Sequence, residues 1–213
     1  MSNKGLLITF LGPDGAGKTT VGDGLAEAIK SSFNGVERFH LRPSSFSSKN
    51  NTVTVVENPH EQSVRGVVPS IAKLIYFIVD YFVGNITKIN HLKRKSYLVI
   101  FDRYFHDLLI DPIRYRYGAP MWLAKLASYF IPKPDLFIIF DAPTEIIQAR
   151  KKEVSFEETE RQRQAYLAFA KTEPNCIVID TSVGIDESVR AASTAVFNYI
   201  EAKQLKRLKR NEN

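Results

Sequence analysis

The sequence predicts an α/β protein built around a largely parallel sheet. Two observations carry this: short, almost wholly apolar runs alternate with segments of helical periodicity, and three of those runs end in an aspartate, Asp102, Asp141 and Asp180. Strands covered on both faces read as continuous apolar runs, as helix-sandwiched parallel sheets require. A length of 213 residues suits one domain, and no internal repeat is visible.

The first strand is Leu6–Leu11, followed by a helix over Thr19–Phe33 with Val21, Leu25, Ala28 and Ile29 at helical spacing. Val36–Leu41 reads as a second strand stopped by Pro43, and the polar stretch Ser44–Gln62 as a long loop. Val64–Lys95 is predicted helical, and Tyr97–Phe101 a strand ending at Asp102. Ala119–Phe130 is a further helix, closed by Pro132 and Pro134, and Leu136–Phe140 a buried strand ending at Asp141. Pro143–Ala170 is rich in Glu, Arg, Lys and Gln. Ile177–Ile179 is the last strand and Asp186–Lys203 the last helix, leaving a basic tail at 203–213.

Composition narrows the function classes. Hydrophobic residues at 44% and charged ones at 24% exclude a chain disordered throughout. A lone cysteine, Cys176, excludes a disulfide framework, no Cys/His cluster suggests zinc, and the compartment reads as cytoplasmic. The longest apolar stretch, Leu74–Gly84, is interrupted by Asp80 and falls short of the ~20 residues of a membrane span. A net charge of +6 favours anionic ligands. Part of that charge lies in the tail, which reads as a solvated helix end, so nucleic acid is not expected as a partner.

The segment Gly12-Pro-Asp-Gly-Ala-Gly-Lys-Thr19 matches G-x-x-x-x-G-K-[ST], and it follows a buried strand and opens a helix. Its glycines let successive N–H groups turn inward on phosphate oxygens, and the helix adds the positive end of its dipole. Lys18 would reach the β- and γ-phosphates, and the Thr19 hydroxyl would ligate Mg²⁺. The expected fold is therefore a P-loop NTPase fold with about five parallel strands, helices on both faces and a short lid. An N-K-x-D element is absent, and none of the strand-end aspartates is followed by glutamate, so a GTPase or motor is disfavoured. Small size and an arginine-rich late segment favour a kinase.

Gly12-Pro-Asp-Gly-Ala-Gly-Lys-Thr-Thr20, Val99-Ile-Phe-Asp-Arg-Tyr104, Pro134-Asp-Leu-Phe-Ile-Ile-Phe-Asp141 and Val178-Ile-Asp-Thr181 together resemble the thymidylate kinase family, in order along most of the chain. The resemblance implies ATP and Mg²⁺ as cofactors, with Gly12 through Thr20 around the nucleotide. It implies that Arg103 grips phosphate, that Asp102 orients a metal-bound water, and that Asp14 and Arg42 face the acceptor with Tyr104. The lid would lie at about 143–160, with Arg150 swinging in as an arginine supplied in cis. Each has a structural alternative: an ion pair for Arg103, a helix cap for Asp102, a surface position for Arg42 and a solvated helix face for Arg150.

The departures matter as much. Where the family carries an Asp-Arg pair that reads the thymine, Val79-Asp-Tyr-Phe-Val83 puts Tyr81 in place of the arginine, so a stacking role is expected for it and a planar bidentate donor is lost. Asp107–Tyr117 replaces the usual small-residue segment with one dense in Arg, Tyr and Asp. The reading is a kinase with a small-molecule acceptor, nucleotide or sugar, with a homodimer allowed. Phosphoryl transfer to a nucleoside monophosphate is the first choice. A sugar or glycan hydroxyl, deprotonated by Asp14 or Asp102, is the second, and a non-catalytic ATP-binding module the third.

Overall fold

Strands β1 (Leu6–Leu11), β2 (Val36–His40), β3 (Leu98–Asp102), β4 (Leu136–Asp141) and β5 (Cys176–Asp180) form one all-parallel sheet in the order β2-β3-β1-β4-β5. The computed structural model describes residues 5–45 and 62–211. Most of the Ser44–Gln62 loop lies outside the described residues.

Alternation along the strands divides the core. Leu7 and Leu11 of β1, Val99 and Phe101 of β3, and Phe137 and Ile139 of β4 point to one face. Leu6, Ile8, Phe10, Leu98, Ile100, Leu136, Ile138 and Phe140 point to the other. A strand with both faces buried cannot alternate polar and apolar residues, which explains its uninterrupted apolar sequence. The second face is covered by α1 (Lys18–Ile29) and α8 (Ile185–Asn211). The first is covered by α2 (Val67–Gly84), α5 (Met121–Ser128) and α7 (Phe156–Thr172).

The helices differ from expectation mainly at their ends. A 3₁₀ turn, Lys30–Ser32, completes α1. Helix α2 starts at Val67 rather than Val64, with Pro69 in its first turn, where no backbone N–H is required. It widens into a π turn at Asn85–Ile89 before α3 (Asn90–Arg94). That turn follows Gly84, where the chain after β2 presses on the helix: an added Cβ would lie 2.3 Å from the Pro43 Cβ. By length and composition the helix Val67–Arg94 could cross a membrane. Leu74, Phe77, Asp80 and Tyr81 are nonetheless buried within this domain. A short helix not expected from sequence, α4 (Asp107–Ile110), follows β3.

The charged segment after β4 is two helices, α6 (Thr144–Arg150) and α7, joined by residues 151–155. The Ser155 hydroxyl accepts from the Glu158 N–H at 3.2 Å, capping α7. The basic tail continues α8 in helical form to Asn211, and Lys203 pairs with Asp135.

His106 sits among aromatic rings: Tyr104 stacked at 5.9 Å, Phe137 at 5.0 Å and Phe169 at 5.6 Å between centroids. Its Nδ1 is buried without a hydrogen-bond partner among the described residues. Burial, with a smaller push from Lys133, brings its pKa down from 6.5 to about 4. The unfolded chain therefore binds more protons across this window, so stability is complete above pH 6.5 and is lost as pH falls through 4. At ~1.4 kcal/mol per unit the loss is about 3 kcal/mol. In His106→Phe the acid-side fall in stability, followed by denaturant unfolding at pH 4 to 7, should shrink by most of that amount. An unchanged slope would show that His106 is not a source of the acid sensitivity.

Candidate active site

The loop between β1 and α1 leaves the carboxyl edge of the sheet and curls through left-handed turns at Gly12, Gly15 and Gly17, with φ of 136°, 89° and 82°. At Gly12 only glycine fits, because a Cβ would lie 2.4 Å from the Phe140 carbonyl oxygen. Lys18, the first residue of α1, folds back so that its Nζ donates to the carbonyls of Gly12 at 2.7 Å and Pro13 at 2.6 Å. It also meets Asp14 Oδ1 at 3.3 Å. Burial, and next the Arg103 guanidinium, bring the Lys18 amine down from 10.5 to about 8, with Asp14 offsetting part of the shift.

Asp14 is the centre of the site. Arg103 donates to its Oδ1 at 2.5 Å, and Arg114 pairs with its Oδ2. Burial alone would raise the Asp14 pKa; Lys18, Arg103 and Arg114 outweigh it and hold the carboxyl well below the usual carboxylate range. Arg103 in turn meets Asp107 at 2.6 Å, a carboxylate without solvent exposure that also accepts from the hydroxyls of Tyr115, at 2.7 Å, and Tyr166. Arg114 also contacts Asp111 Oδ2 at 3.3 Å and Glu153 Oε2 at 2.9 Å. One chain of ion pairs thus runs from the P-loop through the segment after β3 to the 151–155 connection.

The neighbouring strand ends supply two further pairs. The register sets His40 and Asp102 side by side, so residues 41–42 and 102–103 emerge together at the edge of the sheet. Arg103 and Leu41 both adopt left-handed backbone, at φ 66° and 62°. Non-glycine residues pay ~1–2 kcal/mol for that conformation. Here it reverses the chain as it leaves each strand, and the Arg103 N–H donates to the Phe10 carbonyl at 3.0 Å. Arg42 donates to Tyr76 at 2.6 Å and to Asp80 at 3.0 Å. Asp80 also accepts from the backbone N–H groups of Ser44 and Ser45. Asp102 is held by Arg38 in two hydrogen bonds, 2.5 and 2.8 Å long.

Three expected positions differ. Tyr81 is not in the cleft: its ring is 1% exposed, packs edge-on against Tyr104 at 4.7 Å, and its hydroxyl donates to the Leu41 carbonyl. Tyr104 is equally buried and donates to the Pro132 carbonyl at 2.6 Å. Both rings belong to the core, because that face of the sheet takes up their apolar surface and leaves only a hydroxyl to satisfy. Arg150 ends α6 and donates to the Thr181 carbonyl at 2.8 Å and hydroxyl at 3.2 Å. Thr181 reaches the Ala16 carbonyl at 3.1 Å, so Arg150 sits behind the P-loop rather than over Asp14. The sequence reading missed Arg38, Glu153 and Arg163, which pairs with Asp141 at 2.8 Å. Nothing local in the sequence marks these three, because their partners come from distant parts of the chain.

A second cationic cluster lies one turn further along α2. The Lys73 Nζ donates to the Tyr115 carbonyl at 2.7 Å and stands over the Phe77 and Tyr115 rings. Burial, then Arg65, Arg116 and Arg42, bring its pKa down from 10.5 to about 8. The Arg116 guanidinium donates to the Ser63 carbonyl at 2.8 Å and to the Gln62 side chain at 2.9 Å.

The residues fit a Mg²⁺-nucleotide. The Thr19 hydroxyl is exposed on the first turn of α1, and Asp102 retains lone pairs beyond the two that Arg38 uses. Among the described residues no group of three or more His, Cys, Asp and Glu gathers to cage a metal. Mg²⁺ needs none, since it commonly takes one or two protein ligands plus phosphates and waters.

A model of the thymidylate kinase family matches residues 10–192. The chain is 29% identical over 200 residues to a probable thymidylate kinase 1 of Saccharolobus solfataricus, covering 87% of this chain and 94% of that one. It is 26% identical over 209 residues to a probable thymidylate kinase of Sulfolobus acidocaldarius, covering 91% and 97%. A crystal structure of thymidylate kinase from Ehrlichia chaffeensis superposes with a TM-score of 0.59 at 21% identity, covering 91% of this chain and 97% of that one, and so shares the fold.

Two tests address the P-loop lysine. Lys18→Ala should lower kcat by more than tenfold with little change in Tm. Retention of over a tenth of the turnover would mean that the amine contributes less than ~1.4 kcal/mol to the transition state. In the free protein the amine loses its proton above about pH 8. ATP affinity should therefore weaken by up to about fivefold from pH 8 to 9. A flat profile would show that the phosphates do not meet this amine.

Proposed function

The chain belongs to the thymidylate kinase family, and from that premise we propose that it catalyses Mg²⁺-ATP-dependent phosphoryl transfer to a nucleoside monophosphate. Kinase activity comes with the family; the acceptor is argued from the site. The observation that carries it is the state of the two carboxylates that could serve as a base. Asp14 is gripped by Lys18, Arg103 and Arg114, and Asp102 by both arms of Arg38. A hydroxyl acceptor needs a proton taken from it; Asp14, held well below the usual carboxylate range, is a poor base, and Asp102 is engaged by the Arg38 guanidinium. A phosphate acceptor arrives ionised and needs cations instead, which Arg42 and Arg103 supply.

In this reading the P-loop N–H groups and Lys18 hold the β- and γ-phosphates. Thr19 would hold Mg²⁺ directly and Asp102 through a water, and the bound ion would supply neutralisation of phosphate charge. Arg103 and Arg42 set the acceptor phosphate in line, and the ion pairs they make in the free protein are exchanged for phosphate oxygens. With Tyr81 in the core, no planar donor on α2 reads the base, so discrimination among bases should be weak. Initial rates over a panel of nucleoside monophosphates, nucleosides and sugars test this. Monophosphates should dominate, several within tenfold of one another, and kcat/KM for dTMP should fall below ~10⁴ M⁻¹s⁻¹. Faster phosphorylation of a nucleoside or sugar hydroxyl would reverse the acceptor assignment.

The same reading includes a homodimer. Val68, Ile75, Val79, Phe82 and Ile86 are all more than 40% exposed on the outer face of α2 and its continuation. Their spacing alternates between three, four and seven residues, the repeat of a helix–helix seam. A contiguous apolar stripe in water favours a second copy of itself. Ile75→Glu with Phe82→Glu should shift the protein from twice the chain mass to the chain mass in light scattering. A wild type that is monomeric at micromolar concentration would remove this assignment.

A further inference from the structure

We propose that Arg114, from the segment between α4 and α5, is the arginine that meets the transferring phosphoryl group, the role the sequence reading assigned to Arg150. The position of each guanidinium carries this. Arg150 is committed to Thr181 behind the P-loop. Arg114 pairs with Asp14 Oδ2 while Lys18 and Arg103 hold Oδ1 of the same carboxylate. Three cations from three places in the chain converge on one carboxylate four residues before the P-loop lysine. Arg114 lines a polar cleft with Pro13, Asp14, Glu153, Thr159 and Gln162, between the P-loop and the start of α7.

The chemistry of the step explains such a cluster. An acceptor oxygen bonds to the γ-phosphorus and the bond to the β–γ bridging oxygen breaks, leaving ADP. Charge spreads over three equatorial oxygens in the transition state, and fixed cations stabilise it. Arg114 donates hydrogen bonds to those oxygens and exchanges no proton. In the free protein the carboxylates of Asp14 and Glu153 hold the guanidinium where phosphate oxygens will lie. A fork of five N–H donors suits both partners, which an ammonium would not.

The proposal rests on phosphoryl transfer and not on which acceptor is used. Arg114→Gln and Arg114→Lys are compared with Arg150→Gln in steady-state kinetics with Mg²⁺-ATP and the best monophosphate. Arg114→Gln should lose ~10²–10³-fold in kcat with ATP affinity changed less than threefold. Added guanidinium ion should restore part of the loss, and Arg114→Lys should fall between. Arg150→Gln, which removes a guanidinium held by Thr181, should cost at least tenfold less in kcat than Arg114→Gln. If Arg114→Gln keeps kcat within threefold, or Arg150→Gln loses as much as Arg114→Gln, the proposal falls. Should the wild type turn over no monophosphate, the acceptor assignment fails separately. Arg114 is then read from the tightening of Mg²⁺-ADP by aluminium fluoride, which Arg114→Gln should abolish; tightening that survives overturns the proposal.

Discussion

A carboxylate with no access to water organises this protein. Asp107 accepts from Arg103 and from the hydroxyls of Tyr115 and Tyr166, so one side chain ties the end of β3, the segment before α5, and α7. Burial would favour its neutral form; Arg103 and the two hydroxyls outweigh burial and keep it ionised. Removing either member of such a buried pair costs ~3–5 kcal/mol, because the partner is left charged and unpaired. That cost makes the pair rigid. It also fixes Arg103 so that its second nitrogen faces Asp14 at the P-loop.

The rest of the site follows from strand order. With β1 and β3 adjacent, the P-loop and the Asp102-Arg103 turn leave the same edge of the sheet, and with β2 beside β3 so does Arg42. Charge then gathers in pairs. Lys18, Arg103, Arg114 and Arg42 are interleaved with the carboxylates of Asp14, Asp80, Asp107, Asp111 and Glu153. Burial, and next Arg103, lower the pKa of Lys18. Donors fixed in this way are already oriented for an anionic group.

The segment from Asp107 to Tyr117 gives this member of the family its particular character. Asp107 and Tyr115 lock Arg103, Arg114 reaches the P-loop, and Arg116 joins the cluster around Lys73. Opposite it, α2 turns Asp80 inward to hold Arg42 and the backbone at Ser44 and Ser45, and buries Tyr81 in the core. This side of the cleft is thus built from cations and aromatic rings, with no arginine on α2.

Strands, their order of burial and the phosphate loop were legible in the amino-acid sequence, because each depends on local pattern. A short apolar run bounded by turn residues reads as a strand covered on both faces, as β1, β3 and β4 are, and the spacing of Gly12, Gly17, Lys18 and Thr19 imposes its own backbone. The starts of α1, α2, α5 and α8 were legible to within three residues, whereas α4, α6 and α7 were not, and α8 runs on to Asn211. Partnerships were not. Nothing local distinguishes Arg38, which clamps Asp102, from Arg150, which turns to Thr181, or tells that Tyr81 packs inward. A long charged side chain reaches several positions at nearly equal cost, and the choice among them rests on which carboxylates the sheet order brings within about 3 Å. Those distances exist only once the five strands are side by side, and so the tertiary structure alone decided which arginine meets which carboxylate.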